Sequence, residues 1–511
     1  MDDRATVIIG VGEASERIDQ GDWRALSPAD LAAEAAREAL RDAHPGRDLA
    51  GEIDVIAAIR QFEISTPRAM APFGRADNLP RAVARRLGAD PRRAILEPVG
   101  GQGPQHLVNE FARLIGAGED PLVLLCGAEA ISTVRKLMGA GESRDWSEEV
   151  GGQLEDRGLG DPLLSPELPR HGGRTPIVVY SLFENARRAR LGLDRAAYAK
   201  AMGELFAPFT QVAASNPHAM SRETHGAAEL ASPGPTNRLV SDPYPRRLVA
   251  RDQANQGAAV LMTSVARARA LGVPGERWVF LHGGADLRDR LPLEREDLAE
   301  APGAQWAARE ALSRAGIGPE QVDILDLYSC FPIAVFNLLG PLGLESREAR
   351  APLTVTGGLP FFGGAGNNYS MHAIAQMVRR LREAPQAFGF VSANGGFLSK
   401  TSAGVYSARP AAPVAFDDAP LQARIDALAA PRLDQTDGAG VVRTYAIDYA
   451  GPAPVGLVIG DRAGGARFVA MTDPQDPGLA EAMKQAEPLG ARVQTRANAE
   501  GRCLIHAFEP A

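Results

Sequence analysis

Apolar runs of strand length alternate with amphipathic stretches through the first quarter of the chain. Ala5–Val11 is a continuous apolar run. Ser27-Pro28 follows as an N-cap with proline at the first helical position, opening an alanine-rich helix to about Asp42. Ile53–Ile59 predicts a second strand, Leu79–Leu87 a helix, and Ala94–Leu96 a short strand. Gly100-Gly101-Gln102-Gly103-Pro104 then leads into a helix from Gln105 to Ile115, and Leu122–Cys126 reads as another strand. Alternation of this kind predicts a mainly parallel sheet covered by helices on both faces.

From about 131 to 251 the periodicity weakens and Gly, Pro, Arg and Asp accumulate. A stretch this long between α/β units is an excursion over a site more often than part of a core. The pattern then restarts, with strands at Trp278–His282, Val322–Leu327 and Ala387–Ser392, and helices at Ala301–Arg314, after Pro332, and at Tyr369–Arg382. Gly100–Gly103, helix, Leu122–Cys126 has the same layout as Gly363–Gly366, helix, Ala387–Ser392, which suggests duplication of one α/β unit. After a linker punctuated by Pro410, Pro413 and Pro420, short strands alternate with Gly, Pro and Asp turns, with one helix near Gly478–Gln485. The expected division is 1–270 with its excursion, 271–410, and a β-rich, OB-like barrel at 421–511.

Composition narrows the function classes. A formal net charge of -8 leaves no electrostatic footprint for nucleic acid. Cys126, Cys330 and Cys503 are isolated, so neither a disulfide framework nor a metal site is expected. The N-terminus has no basic-then-apolar leader pattern and no apolar run is long enough to span a bilayer, so no membrane association and a cytoplasmic location are expected. Gly10-Val11-Gly12 follows the first strand, but Ser15 stands where a dinucleotide fingerprint needs its third glycine.

The second half carries the residues of a resemblance. Asp326-Leu327-Tyr328-Ser329-Cys330-Phe331 resembles the H-D-C-F segment of sterol-carrier-type thiolases, and Gly357–Gly366 resembles the thiolase stretch G-G-x-x-x-x-G-H-P-x-G. Ser392-Ala393-Asn394-Gly395-Gly396 sits where that superfamily has C-x-G-G, and Gly100–Gly103 where it has C-x-S-G. Asn216-Pro217 and Asn237–Tyr244, leading to Gly257-Ala258-Ala259, are similar to its loop excursion and return strand. The resemblance implies a thiolase-like α/β fold of two duplicated αβα halves in five layers, and proteins of the acetyl-CoA acetyltransferase type.

A thiolase sets a cysteine at a helix N-terminus to take up the acyl group, a histidine to activate it, and a second cysteine to move the α-carbon proton. Here those positions are Gly100, Gly364 and Ala393, none of which titrates. Tyr328 replaces the residue beside the thioester carbonyl, where a phenol can donate to an oxyanion or, with a lowered pKa, act as a base. Asn367 and Asn368 stand at the start of the following helix, where one is expected to cap it and Asn368 to hold a thioester oxygen. His372 and His106 each lie one turn into their helices, facing the site or packing. Arg222, Arg238, Arg246, Arg247 and Arg251 in the excursion are candidates for the phosphates of coenzyme A, bound as a transient thioester rather than a permanent cofactor. Two functions follow: an acyl-CoA enzyme making or breaking a carbon–carbon bond without an acyl-cysteine, or a non-catalytic acyl-CoA binding or scaffold protein. The C-terminal domain would serve a homodimer or a partner protein.

Overall fold

Helix Pro28–Ala43 lies almost against the backbone of the first strand, β1 (Thr6–Ser15), and residue size explains why. A Cβ at Gly10 would fall 2.1 Å from the Ala39 carbonyl oxygen, and one at Gly12 2.0 Å from that of Ala35. Glycine in the strand and alanine in the helix allow an approach that larger residues block. Ser27 and Asp30 close a reciprocal capping box at the helix start.

The computed structural model describes residues 1–67, 70–344 and 352–511. Its main sheet contains β1, β2 (Val55–Ala58), β3 (Arg93–Leu96), β4 (Val123–Ala130) and β5 (Glu155–Asp156). Two short strands, β6 (Leu239–Ser241) and β7 (Tyr244–Pro245), belong elsewhere. The main sheet continues with β8 (Asn255–Ser264), β9 (Val279–Arg288), β10 (Ile324–Asp326), β11 (Gly389–Gly395) and β12 (Lys400–Ser407). The order is β10-β11-β12-β9-β1-β8-β4-β2-β3-β5. Read outward from the centre, the halves match. β8 runs antiparallel to β1 and β4, β12 antiparallel to β9 and β11, and the parallel pairs β4–β2 and β11–β10 follow. Within the sheet the halves meet at the β1–β9 pairs Val7↔Phe280 and Ile8↔Val279. Helices Gly103–Gly116 and Tyr369–Glu383 pack on each other and on strands of both halves, forming the enclosed middle layer of the duplicated thiolase-like α/β fold.

Strand β12 lies beyond the expected closing strand Ala387–Ser392. Its eight residues are all buried, so no polar–apolar alternation marks them as a strand. The outer strand β3 is covered by β5, whose Glu155 pairs with Arg93 at 2.8 Å, so the edge is occupied by the chain itself.

The excursion is helical. Helices Pro176–Leu191 and Arg195–Ser215 form its body, and its β6 and β7 join the last domain's sheet through Asp448↔Ser241. That domain is a closed five-stranded barrel of β13 (Gly438–Asp448), β14 (Val455–Asp461), β15 (Arg467–Thr472), β16 (Arg492–Ala497) and β17 (Cys503–Glu509). Arg188 of the excursion, 1% exposed, reaches Glu487 at 2.7 Å and the Tyr445 hydroxyl at 3.2 Å, tying the barrel down. The proline-rich linker is also held. It carries a helix, Ala419–Asp426, which the sequence reading lacked, and Asp418 pairs with Arg314 at 2.6 Å. Among the described residues, no helix is long and apolar enough to cross a membrane.

Candidate functional site

Two helix N-termini and one strand end converge where the motifs predicted. Helix Gly103–Gly116 begins beside the Gly100–Gly101 turn, and Ser370, in the first turn of helix Tyr369–Glu383, donates to the Gly101 carbonyl. The end of β11 closes the ring, since a Cβ at Gly395 would lie 3.0 Å from the Gly100 Cα. Gly100 has φ +150, a conformation that suits glycine. A side chain there would meet the Gln102 Oε1 at 2.0 Å. The space of a nucleophile's side chain is therefore filled by the Gln102 carboxamide, whose buried oxygen has no hydrogen-bond partner among the described residues. Sequence reading passed over Gln102, although its place inside the C-x-S-G segment was a signal.

Tyr328 follows β10 directly and is 6% exposed. A Cβ on Gly101 would fall 2.2 Å from its hydroxyl, so the phenol points at the turn, and among the described residues that hydroxyl has no hydrogen-bond partner. Burial, with Cys330 adding to it, pushes the phenol well above its ordinary pKa. The expectation of a base is thereby corrected. A phenol raised in this way stays protonated, so its hydroxyl is available as a hydrogen-bond donor rather than as a base. Cys330 is a buried thiol pushed up to about 12 by burial, and Cys126, inside β4, likewise.

The other expected residues are committed elsewhere. Neither asparagine caps the helix: Asn367 donates to the Arg60 carbonyl at 2.8 Å and Asn368 to that of Gly127 at 2.7 Å, tying the halves together. The Asn368 Oδ1 is buried without a partner among the described residues. His372 holds Glu13 through Nδ1 at 2.7 Å and lies edge-on to Phe362. Burial would raise the Glu13 carboxyl, but His372, His218 and Arg379 bring it down to about 2. Burial pulls His106 down, yet Asp286, Glu97 and Glu110 outweigh it and raise it to about 9. Ala393 is fully buried in β11 opposite Ser402, and the Gly364 N–H donates to the Arg251 carbonyl at 2.7 Å.

Beside this centre the excursion forms much of the wall of a solvent-open cavity of about 550 Å³. Arg238, Arg246, Arg247, Arg251 and Arg135 line it against Glu223 and Asp252. Arg247 pairs with Glu229 at 2.5 Å and Arg135 with Asp252 at 2.6 Å. Arg238, Arg246 and Arg251 have no ion-pair partner among the described residues. Desolvation, then repulsion from Arg246, lowers the Arg251 pKa, and an anion between them would relieve that repulsion. Arg222 is not among the lining residues. It turns back to the Pro217 carbonyl, held by the tight Asn216-Pro217 turn. Pro360 and Phe361 form part of the wall, and Ala250 bonds the Cys330 carbonyl at 2.8 Å, so the cavity borders the Tyr328 loop.

No protein-family model matches the chain, and no curated protein matches it. Among solved structures it is similar to a monomeric SCP2-thiolase-like protein type 1 from Mycobacterium smegmatis, with 41% identity over 99% of both chains and a TM-score of 0.84. An Ltp2–ChsH2(DUF35) aldolase matches at 19% identity, over 79% of this chain and 98% of that one, with a TM-score of 0.58. The dimeric peroxisomal thiolase of Saccharomyces cerevisiae matches at 15% identity, over 80% and 98%, with a TM-score of 0.58. The last two bear on the fold alone. The duplicated halves, the converging glycine turns and the relative spanning its whole length place this chain in the SCP2-thiolase-like family of the thiolase superfamily.

Proposed function

We propose that this protein binds coenzyme A thioesters and acts on them, without an acyl-cysteine, through a protonated Tyr328. The observation that carries the reading is the pairing of a phenol pointing at the Gly100–Gly101 turn with a cavity holding three arginines that have no ion-pair partner among the described residues. Arg238, Arg246 and Arg251 bind the nucleotide phosphates, and the pantetheine arm runs past Phe361 toward Tyr328. The phenol donates to the thioester oxygen, where negative charge collects as an enolate forms. That is the charge left when the bond between the α- and β-carbons of an acyl-CoA breaks. Carbon–carbon bond cleavage or formation is thus the reaction class the centre fits, and a fold neighbour is an aldolase. Burial of Cys330 and the absence of a residue-100 side chain argue against acyl transfer through sulfur.

The barrel has its helix between the third and fourth strands and closes the first strand on the second, a connectivity we read as OB-like. Its tight docking on the excursion favours a role in shaping the cavity, and the covered edge at β3 favours a monomer. The reading is tested with a panel of acyl-CoAs and 3-hydroxyacyl-CoAs. Tyr328→Phe should lower turnover on the order of 10²-fold while leaving binding intact. Undiminished turnover, or acetylated cysteine found by peptide mapping, would overturn it. Binding with no turnover of any substrate would leave the scaffold function instead.

A further inference from the structure

Of the 55 lysines and arginines in this chain only four are lysine: Lys136, Lys200, Lys400 and Lys484. Three are exposed, whereas Lys400, the first residue of β12, is 9% exposed. Where arginine is the default cation, a buried lysine suggests a property arginine lacks. An amine can lose its proton and become a nucleophile, and a guanidinium cannot.

The surroundings of Lys400 fit that role. Its Nζ donates to the Val99 carbonyl at 2.9 Å and has no ion-pair partner among the described residues. A buried ammonium with one hydrogen bond and no counter-ion is costly. Burial accordingly pushes the amine pKa down; Asp161 and then Glu97 oppose this, and Arg288 adds to it. Lys400 lines a cavity of about 460 Å³ that shares no residue with the arginine cavity. Leu163, also in its wall, lies 2.9 Å from where a Gly396 Cβ would be, so the cavity backs onto the glycine turn of the reaction centre. Arg288 and Arg290 face it along with Lys400, but so do Asp161, Asp289, Glu294 and Asp426. Carboxylates outnumber cations on the wall, which disfavours an anionic ligand and leaves a neutral electrophile as the fitting partner.

We propose that Lys400 is a nucleophilic amine that captures a small aldehyde or ketone in this cavity as an imine. The nitrogen lone pair adds to the carbonyl carbon and a proton passes from nitrogen to oxygen, giving a carbinolamine. Water then departs as the carbon–nitrogen double bond forms. Amine and carbonyl give imine and water, with no oxidant or reductant. This inference stands apart from the coenzyme A reading, and either can fail alone.

The test uses the full chain with acetaldehyde or acetone and sodium cyanoborohydride, which reduces an imine to a stable secondary amine. Peptide mass mapping then compares the four lysines. Lys400 should be alkylated ahead of Lys136, Lys200 and Lys484, by on the order of tenfold for each unit its pKa is depressed. Its rate should also level off at a lower pH than theirs. Lys400→Arg should remove that modification and leave the other three. If Lys400 reacts no faster than the exposed lysines, or stays unmodified while they react, the proposal fails, and that comparison needs only the unmutated protein.

Discussion

Gly101→Ala would put a methyl group where the Tyr328 hydroxyl already sits. The added Cβ would lie 2.2 Å from that oxygen, 2.7 Å from the Asn394 carbonyl and 2.9 Å from the Tyr328 Cζ. The ring cannot retreat, because it is 6% exposed and edge-on to Tyr369 at 5.4 Å between centroids. Overpacking of this kind costs about 1–3 kcal/mol. Since the hydroxyl has no partner among the described residues, Tyr328→Phe alone should cost under about 1 kcal/mol. In the Tyr328→Phe background the shortest clash is gone, although those with Asn394 and the ring remain. Gly101→Ala should therefore cost roughly 1 kcal/mol less there, a coupling within the range of residues in contact. Urea denaturation of the four proteins gives the cycle. Costs that add to within about 0.3 kcal/mol would mean the hydroxyl does not lie over Gly101, and the proposed donor would lose its position.

Other consequences follow from buried charge and strained backbone. Glu487→Gln strips Arg188 of its counter-charge. With Glu487 41% exposed the cost should be about 1–3 kcal/mol, read as an earlier urea transition of the barrel. Glu129 is raised to about 8 by burial, which outweighs the Phe62 N–H, with Glu63 adding to it. The folded state thus binds a proton that the unfolded state releases near pH 4.3, so stability falls as pH rises from there through 8. Glu129→Gln should flatten that loss, and a urea midpoint equally pH-dependent in both proteins would contradict it. Gly100→Cys should cost about 1–3 kcal/mol in backbone strain and still gain no acetyl group from acetyl-CoA, because neither Gly364 nor Ala393 offers a base.

Much of the fold was legible because its elements are locally marked. Ser27-Pro28 announces a helix, and the two glycine turns announce the duplicated units. β12 was not legible, since Lys400–Ser407 is buried on both faces and carries no alternation. The excursion's helices were obscured for a related reason: Pro176–Leu191 is buried against both core and barrel, so polar residues such as Glu184 and Arg188 interrupt its apolar face. At the site, the motifs marked the Gly100–Gly103 turn and Tyr328 by position along the chain, and the structure brings the two together. The motifs could not show that Gln102 fills the nucleophile's space, that His372 is spent on Glu13, or that Arg222 turns away. The His372–Glu13 contact joins distant segments, and the other two, though local in sequence, depend on where a side chain turns rather than on its position along the chain.

The central claim is that the arginine cavity holds a coenzyme A thioester at a centre without a nucleophile. Calorimetric titration with coenzyme A, on the unmutated protein and on Arg246→Gln, tests it most directly. One site per chain is expected, weakened about tenfold by the substitution, equivalent to roughly 1.4 kcal/mol. Absence of binding at millimolar coenzyme A, or the same affinity in both proteins, would contradict the account.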